Sequence, residues 1–405
     1  MTEIRFIDAD EVADYRRAIS AGFGDDGEPD EDQLAHFAAI NSAETSIAAF
    51  DRGHMVATFG SYDLDLTLPG GATVAMAGTT HVTVHPTHRR RGILTEMMRR
   101  HLDQAVEMGQ PLAGLWASEE RIYGRFGYGN AATGLDLRIP DYAVELPPPD
   151  PSITVHPITP EEAATILPPI YDAARPGIAG ALARTENWWA HRRLPDPPAH
   201  RGGQGKRRYV MAERDGEAVG YLVFRLKELE PWGEGLTTIL ELMAADDEVR
   251  RALWSFALNV DLYRNVRWWN APVDEPALLQ IDRFRKVETR TLDSMWLRPL
   301  DVVPLLQARS YDRDGQLVIE VADRFGPTAG TYRLEVVDGA GTCETVSSGE
   351  PDVTLAVEEL GRLLLGGVSA VTLARAGLVA GPADAVARLH DLFTTRNQPY
   401  CPEVF

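Results

Sequence analysis

The sequence predicts a mixed α/β fold, and three observations support it. β-branched residues at period two over Val82–Val84 lead through a basic turn into an apolar helical stripe that begins at Ile93. The same order of strand, turn and helix recurs at Thr237–Met243 and Asp247–Leu258, which predicts an internal duplication. Between the two copies lies a proline-rich linker, Leu146–Pro151, unsuited to the interior of a helix or sheet.

Length and charge narrow the class of protein. A chain of 405 residues exceeds one ordinary core, and we expect three domains, at 1–146, 147–297 and 298–405. The net charge of −20 argues against a nucleic-acid partner, because such binding depends on an excess of Lys and Arg. It fits attraction of cationic small molecules, although solubility alone would also explain it.

Cysteine usage and hydropathy predict the compartment. Cys343 and Cys401 are too few for a disulfide framework, so the cytoplasm is expected. The N-terminus has no apolar signal-peptide region, and no apolar run reaches about 18 residues. We therefore expect neither a Sec signal nor a membrane span.

Elements of the first block follow from period-two and helical patterns. Glycine at position 92 opens the amphipathic helix, whose stripe continues to Val106. The predicted strands of this block are Ser46–Phe50, His54–Ser61, Thr73–Val84 and Leu112–Ala117.

The later blocks contain clear boundary signals. Thr159 followed by Pro160 and two acids predicts the start of a helix, and Pro195–Lys206 is typical of a surface loop. The other predicted strands are Ile153–Ile158, Glu217–Lys227, Leu317–Ala322, Tyr332–Val337 and Val353–Val357, and the other helices are Val357–Leu365 and Ala383–Phe393.

The turn at Arg89, Arg90, Arg91 and Gly92 predicts a phosphate cradle. Free N–H groups at a helix start attract anions, and glycine permits close approach. Three arginines there oppose the helix dipole unless an anion binds, although a solvated basic helix end is the alternative. The second copy has acids at 246–248, which would repel a pyrophosphate, so we expect it to have lost cofactor binding.

A second motif follows the strand Leu112–Ala117. Ser118 and Glu119 precede a run in which glycines alternate with aromatic residues, including Tyr123 and Tyr128. It would lie beside the carboxyl end of the first strand, where ligands bind in open α/β sheets. Either tyrosine could position a phenol group, or simply fill the core with its hydroxyl satisfied.

Other chemistries find little support. Residues four apart in a strand, such as His81 and His85, are about 13 Å apart and cannot share one ion, so no metal site is expected. The sequence contains no nucleophile elbow, Walker loop or dinucleotide fingerprint.

The segment Ala77–Asn130 resembles the Eis (enhanced intracellular survival) family of N-acetyltransferases, in the GCN5-related (GNAT) superfamily. The similarity rests on Pro86–Gly92, on Ala117–Glu119 and on Ile122–Gly129. The three-block layout and the terminal Phe405 extend it across the chain. The resemblance implies tandem GNAT domains, the second degenerate, then a sterol-carrier-protein-like α/β domain, assembled as a homohexamer of two trimers.

The resemblance also implies roles for individual residues. Acetyl-CoA is the expected donor. Tyr123 would be the general acid and the terminal carboxylate of Phe405 the general base. The cofactor-binding residues would be Val82, Thr83 and Val84 for the pantetheine, Arg89, Arg90, Arg91, Gly92, Ile93, Leu94 and Thr95 for the pyrophosphate, and Ser118 and Glu119 along the channel. Leu94 departs from the superfamily, which usually has a small residue there.

Acidic residues would select the acceptor. Asp25 lies where the family has an acidic pocket residue soon after a phenylalanine, here Phe23, although its acidic run could equally be a solvated loop. Glu403 is a weaker candidate, and Val404 replaces the family's usual glutamate. We expect acetyl transfer to amines of polycationic acceptors, such as aminoglycosides and lysine side chains. The alternatives are a different acyl-CoA donor and a non-catalytic binder of apolar ligands.

Overall fold

The computed structural model describes residues 2–25, 27–140, 146–230, 234–347 and 349–405, and within these ranges the strands form three sheets. The first domain packs helices against a seven-stranded mixed sheet. Its elements are β1 (Glu3–Phe6), α1 (Val12–Gly22), α2 (Glu31–Ile40), β2 (Ser46–Asp51), β3 (His54–Thr67), β4 (Thr73–Val84), α3 (Ile93–Glu107), β5 (Leu112–Trp116), α4 (Glu120–Tyr123) and β6 (Gly129–Asn130).

Strand β3 is longer than its predicted range, which ends at Ser61. Beyond that residue Tyr62, Leu64 and Leu66 are buried, whereas Asp63 and Asp65 are exposed. The period-two pattern therefore continues to Thr67, with the aspartates on the outer face.

The second domain has the same plan. Its elements are β7 (Thr133–Ile139), β8 (Ile153–Ile158), α5 (Pro160–Ala174), α6 (Glu186–Trp188) with a π-helical turn at Trp189–Arg193, β9 (Arg208–Arg214), β10 (Glu217–Lys227), β11 (Leu236–Ala244), α7 (Asp247–Leu258), β12 (Asn265–Pro272), α8 (Ala277–Gln280) and β13 (Glu288–Asp293). Thr159 caps α5 through a capping box with Glu162, as the sequence predicts.

The third domain is a five-stranded sheet covered by helices. Leu317, Ile319 and Val321 alternate inward on β15, which gives the sheet its buried face. After β14 (Met295–Pro299) come α9 (Val302–Ala308), β15 (Gly315–Ala322), β16 (Gly330–Val337), β17 (Ala340–Thr345), β18 (Val353–Ala356), α10 (Val357–Leu363), α11 (Ala370–Arg375), β19 (Val379–Ala380) and α12 (Ala383–Phe393).

The first two sheets exchange one strand each. The strand order of the first sheet is β1-β2-β3-β4-β5-β14-β6. Read from the corresponding edge, the strand order of the second sheet is β8-β9-β10-β11-β12-β7-β13. In both, the fourth and fifth strands are parallel and the other neighbours antiparallel. The identical order supports the predicted duplication. The sixth position is exchanged, because β14 pairs with β5, and β7 pairs with β12.

The exchange corrects the predicted organisation in one respect. Strand β7 lies within 1–146 but belongs to the second sheet, and β14 runs from 295 to 299 but belongs to the first. The proline-rich linker therefore connects two strands of the second sheet, β7 and β8. Local patterns identify a strand, but not the sheet that it enters.

The third domain is fixed to the first through a buried ion pair. Arg298 on β14 donates to the carbonyl oxygen of Phe126 at 2.6 Å and to Asp323 at 2.6 Å. Gly127 and Gly129 allow this approach, since a Cβ atom would lie 1.6 Å from the Arg298 guanidinium and 1.9 Å from the Glu358 carbonyl oxygen respectively. The glycines of the second motif thus serve domain packing.

Glu359 on α10 predicts a pH dependence of folding. Burial, with Glu358 nearby, raises its pKa from 4.5 to about 7. The unfolded chain loses this proton first, so stability falls as the pH rises from about 4.5 to about 7. We expect Glu359→Gln to gain stability relative to wild type as the pH rises. The difference in free energy of unfolding, variant minus wild type, should be larger at pH 8 than at pH 5 by about 1–3 kcal/mol, as measured by urea unfolding. The exposed Glu335→Gln should show no such trend.

Candidate active site

A wedge between β4 and β5 forms the centre of the candidate site. The strands pair only at Met76–Leu112, Ala77–Ala113 and Gly78–Gly114, while β4 continues to Val84 and β5 to Trp116. Strand β4 also carries a bulge, with His81 at a φ of 54°. Beyond Gly78 the backbone of β4 therefore faces an opening, and Val82, Thr83 and Val84 lie along it, half-buried.

The predicted phosphate cradle lies at the outer end of this wedge. After β4 a short turn leads to Gly92, whose φ of 80° places it in the left-handed region before α3. The first intrahelical bond runs from Glu96 N–H to Gly92 O, and Gly92 contributes no side-chain cap. The leading N–H groups of the helix are therefore available to an anion. Arg89, Arg90 and Arg91 are exposed around them.

Tyr123 lies just beyond β5, at the end of α4. Its side chain is 4% exposed, and Ser118 and Glu119, both exposed, form the turn before it. Burial raises the pKa of Tyr123, and a hydrogen bond with Ser118 opposes the rise only in part. The phenol therefore holds its proton at neutral pH.

Tyr128 has a different environment. Its hydroxyl lies 2.9 Å from Thr79 Oγ1, which also contacts His101 Nε2 at 2.8 Å. Burial lowers the pKa of His101 to about 3, so this imidazole is neutral. Tyr128 thus matches the core alternative, and its ring packs against that of Tyr123 with centroids 6.2 Å apart. Sequence reasoning missed Thr79 and His101.

The C-terminal residue reaches the same wedge from the opposite face of the sheet. A Cβ atom at Gly78 would lie 2.5 Å from Leu64 Cδ1 and 3.3 Å from Cε2 of Phe405, so the absent side chain makes room for both. Neighbouring residues of a strand face opposite sides, and the next residue, Thr79, contacts Tyr128. Phe405 is 9% exposed.

A buried cluster of four charges holds the tail. Glu403 accepts hydrogen bonds from Arg184 and from Trp188 Nε1, both at 3.1 Å, and lies 3.3 Å from Arg193 Nε. Arg184 and Arg193 also pair with Glu241. Burial acts to raise the pKa of Glu241, but the two arginines outweigh it and lower that pKa to about 2. Glu403 is fully buried and paired, so its predicted role in acceptor binding is wrong.

The π-helical turn holds successive residues of the tail. Arg193 contacts Glu403, and Arg192 donates to the carbonyl oxygen of Val404 at 2.7 Å. The Arg192 guanidinium also lies over the rings of Tyr62 and Trp188, 5.5 and 5.1 Å from their centroids. Sequence patterns gave no signal for these contacts, because the turn and the tail are over 200 residues apart.

Aromatic residues surround the bulge on the tail side. His81 Nε2 lies 3.3 Å from the Tyr62 hydroxyl, and the His81 ring is 5.4 Å from that of Phe37 on α2. Burial, with Arg192 and Arg16 nearby, lowers the pKa of His81 to about 3. A neutral histidine in a strained bulge at the wedge is a further site residue that sequence reasoning missed.

Asp25 lies at the rim of the same region. It follows α1, whose last residue, Gly22, approaches the wedge closely, since a Cβ atom there would lie 2.5 Å from Thr83 Cγ2. Asp25 is exposed and accepts a hydrogen bond from Gly27 N–H at 3.0 Å. Elsewhere in the acidic run, Glu28 pairs with Arg17 and Asp30 caps α2, while Asp26 lies outside the described residues.

The corresponding wedge of the second domain is bordered by the tail of the chain. Strands β11 and β12 pair only from Leu236 to Ile239, and beyond that point Asn270 donates to the Cys401 carbonyl oxygen at 2.9 Å. At the start of α7, Asp246 accepts from the N–H groups of Glu248 and Val249 and pairs with Arg214. These helix N–H groups are therefore already bound to a carboxylate.

The described ranges contain no group of three or more His, Cys, Asp or Glu side chains placed to hold a metal ion. They also contain no helix with the length and hydropathy needed to cross a bilayer.

Comparison with protein families divides the chain into three parts. An acetyltransferase (GNAT) domain matches residues 3–131, a second acetyltransferase (GNAT) domain matches 180–299, and a sterol carrier protein domain matches 302–402. The predicted fold class, tandem GNAT domains and a sterol-carrier-like domain, is confirmed.

Similar proteins include named acetyltransferases. A Streptomyces avermitilis protein called an uncharacterized N-acetyltransferase is 35% identical, with both chains fully covered. N-acetyltransferase Eis of Mycobacterium tuberculosis is 32% identical over 78% of this chain and 76% of its own. Among solved structures, Eis1 of Mycobacterium abscessus covers both chains fully at 31% identity, with a TM-score of 0.84.

The buried cluster predicts that the tail detaches when one charge is removed. In Glu403→Gln, Arg184 and Arg193 would share Glu241 alone, and breaking a buried pair in this way costs about 3–5 kcal/mol. We expect carboxypeptidase to release Phe405 at least ten times faster than from wild type, followed by intact mass. Glu217→Gln, at an exposed position, is the matched control. Equal rates of release from Glu403→Gln and wild type would contradict the role of the buried cluster in holding the tail.

Proposed function

The chain belongs to the Eis family of GNAT N-acetyltransferases, and on that premise we propose that it transfers acetyl groups from acetyl-CoA to amines of polycationic acceptors. Aminoglycosides and lysine side chains are the proposed acceptor classes. The observation that carries the proposal is the wedge beside Gly78, with buried Tyr123 beyond one face and the terminal Phe405 on the other. In this proposal one acid and one base act on the opening from two sides.

The residues around the wedge fit acetyl-CoA. The half-buried backbone of Val82–Val84 suits an extended pantetheine, and the N–H groups of Gly92–Thr95, with Arg89–Arg91, suit a pyrophosphate. Ser118 and Glu119 lie at the end of β5, beside the same opening. Bound there, acetyl-CoA would supply the activated acetyl group.

The terminal carboxylate of Phe405 is the proposed base. An alkylammonium has a pKa near about 10.4, so an acceptor must lose a proton before it can attack. A carboxylate accepts such a proton and also favours a cationic acceptor, although desolvation or a bridging water must assist so weak a base. The contacts that hold Glu403 and the Val404 carbonyl oxygen support a fixed position for the last residue.

Tyr123 is the proposed acid. Its burial keeps the phenol protonated, and Ser118 orients the hydroxyl. A phenol, with an ordinary pKa of about 10, can protonate a departing thiolate, whose parent thiol has a pKa of about 8.5. We propose direct transfer, in which the amine attacks the thioester carbonyl, the C–N bond forms and the C–S bond breaks. The described residues place no activated cysteine or serine in the site, and burial raises the pKa of Cys401 to about 12.

Asp25 is the proposed acceptor-binding carboxylate. It is exposed, and the helix before it ends against Thr83 at the wedge. A cationic acceptor entering beside α1 would meet this charge first. Assembly as a homohexamer of two trimers and a cytoplasmic location remain predictions from the sequence.

Thiol release tests the activity directly. With acetyl-CoA and kanamycin or a lysine-rich peptide, we expect amine-dependent release of free thiol. For Tyr123→Phe we expect the rate of release to fall to about 1% of wild type or less, because a general acid contributes about 10²–10⁴-fold. Affinity for acetyl-CoA should stay unchanged by calorimetry. Tyr128→Phe is the matched control.

Failure to release thiol with any amine would sink the proposal. Faster turnover of propionyl- or malonyl-CoA would instead identify a different acyl donor. Co-purified lipid without acetyl-CoA binding would favour the non-catalytic binder of apolar ligands.

The role of Phe405 has its own test. Adding one glycine after Phe405 moves the terminal carboxylate by one residue while leaving the buried ring in the sequence. We expect kcat to fall at least a hundred-fold with little change in acetyl-CoA affinity. A glycine added before Met1 controls for chain extension, and wild-type turnover of the C-terminal variant would remove Phe405 from the mechanism.

A further inference from the structure

A cavity of about 330 Å³ lies in the second domain. Its walls come from β9–β12, the π-helical turn, the segment at 200–204 and the tail. This volume is within the range of small-molecule sites. The tail residues Pro402 and Val404 form part of its lining, one of them adjacent to Phe405.

The cavity is lined by more positive than negative charge. Asp196 pairs with Arg201 at 3.3 Å and with Arg225 at 2.6 Å, so two lining guanidiniums share one carboxylate. Asp196 also accepts a hydrogen bond from the backbone N–H of Arg207 at 3.0 Å. These contacts order the predicted surface loop Pro195–Lys206 around the cavity.

Arg207 is a lining guanidinium that has Asp196 and Tyr209 nearby but no carboxylate within ion-pair distance among the described residues. Its guanidinium donates to the carbonyl oxygen of Arg193, and its Nε has no hydrogen-bond partner among the described residues. Burial, with Arg193 close by, lowers the pKa of Arg207. A half-buried guanidinium without a carboxylate within ion-pair distance in the described ranges is costly unless an anion binds it.

Aromatic side chains form the rest of the wall. Trp189 and Tyr209 are buried beside the cavity, whereas Trp269 is 42% exposed at its edge. The Trp269 ring lies 5.8 Å from that of Trp116, and its exposed part can contact a planar ring while the anion meets the guanidinium.

This cavity lies in the opening between β11 and β12, since Glu241 and Trp269 line it just beyond the last paired residues of the two strands. The start of α7, which corresponds to the phosphate cradle, is capped by Asp246 and lines a different pocket. We propose that the cavity binds a small anion, a phosphate or carboxylate, attached to an aromatic ring, with Arg207 contacting the anion and Trp269 the ring.

Phenyl phosphate is a suitable probe. Calorimetry is carried out on the full chain with saturating coenzyme A, which fills the phosphate cradle of the first domain. We expect one phenyl phosphate per chain, much weaker binding of phenol and of inorganic phosphate alone, and at least ten-fold weaker binding to Arg207→Met. Benzoate in a second arm separates carboxylate from phosphate ligands.

Arg313→Met, an exposed arginine of the third domain, is the matched control and should bind as wild type does. Trp269→Ala provides a second variant at the edge of the cavity, and it should also weaken binding. Thermal melting confirms that each variant folds. Absence of binding beside coenzyme A, or equal affinity of Arg207→Met and wild type for phenyl phosphate, would overturn the proposal.

Discussion

The pairing of Arg184 and Arg193 with Glu241 and Glu403 is the constraint on which the candidate site depends. It brings Glu403, two positions before the last residue, into the interior, and it balances two positive charges with two negative ones. Buried charges are tolerated when each has a partner, and removing one leaves the others uncompensated. The terminal residue can therefore take a fixed position beside the first domain. Its position is set by the second domain, which has itself kept no free phosphate cradle at α7.

Domain packing and catalysis are connected through the same short segments. Arg298 fixes the loop after Tyr123 to the third domain through Phe126, and the glycines of that loop make room for it. The tail leaves the third domain, crosses the second and ends at the first, with Tyr400 N–H bonded to the Ala179 carbonyl oxygen at 2.8 Å on the way. Each domain thus contributes to one opening in the first sheet.

Local structure could be predicted from the sequence, whereas long-range pairing could not. The bounds of Thr73–Val84, Glu217–Lys227, Asp247–Leu258 and Ala383–Phe393 match the structure, because period and capping are encoded within each segment. The start of α3 at the arginine-glycine turn matches for the same reason. Glu403 was misjudged because its partners, Arg184 and Arg193, are more than 200 residues distant, and no local pattern announces a buried ion pair. Strand partners, the bulge at His81 and the π-helical turn likewise arise only when distant segments meet.

The exchanged strands have a consequence for the history of the chain. Each of the first two sheets keeps its sixth position for a segment encoded in the other half, so neither half holds a complete set of hydrogen-bonding neighbours. A gene break at the prolines would expose the flank of β5 in one product and of β12 in the other, inviting aggregation. Once the duplicated halves had exchanged these strands, recombination that separated the two halves would leave each sheet without one of its strands.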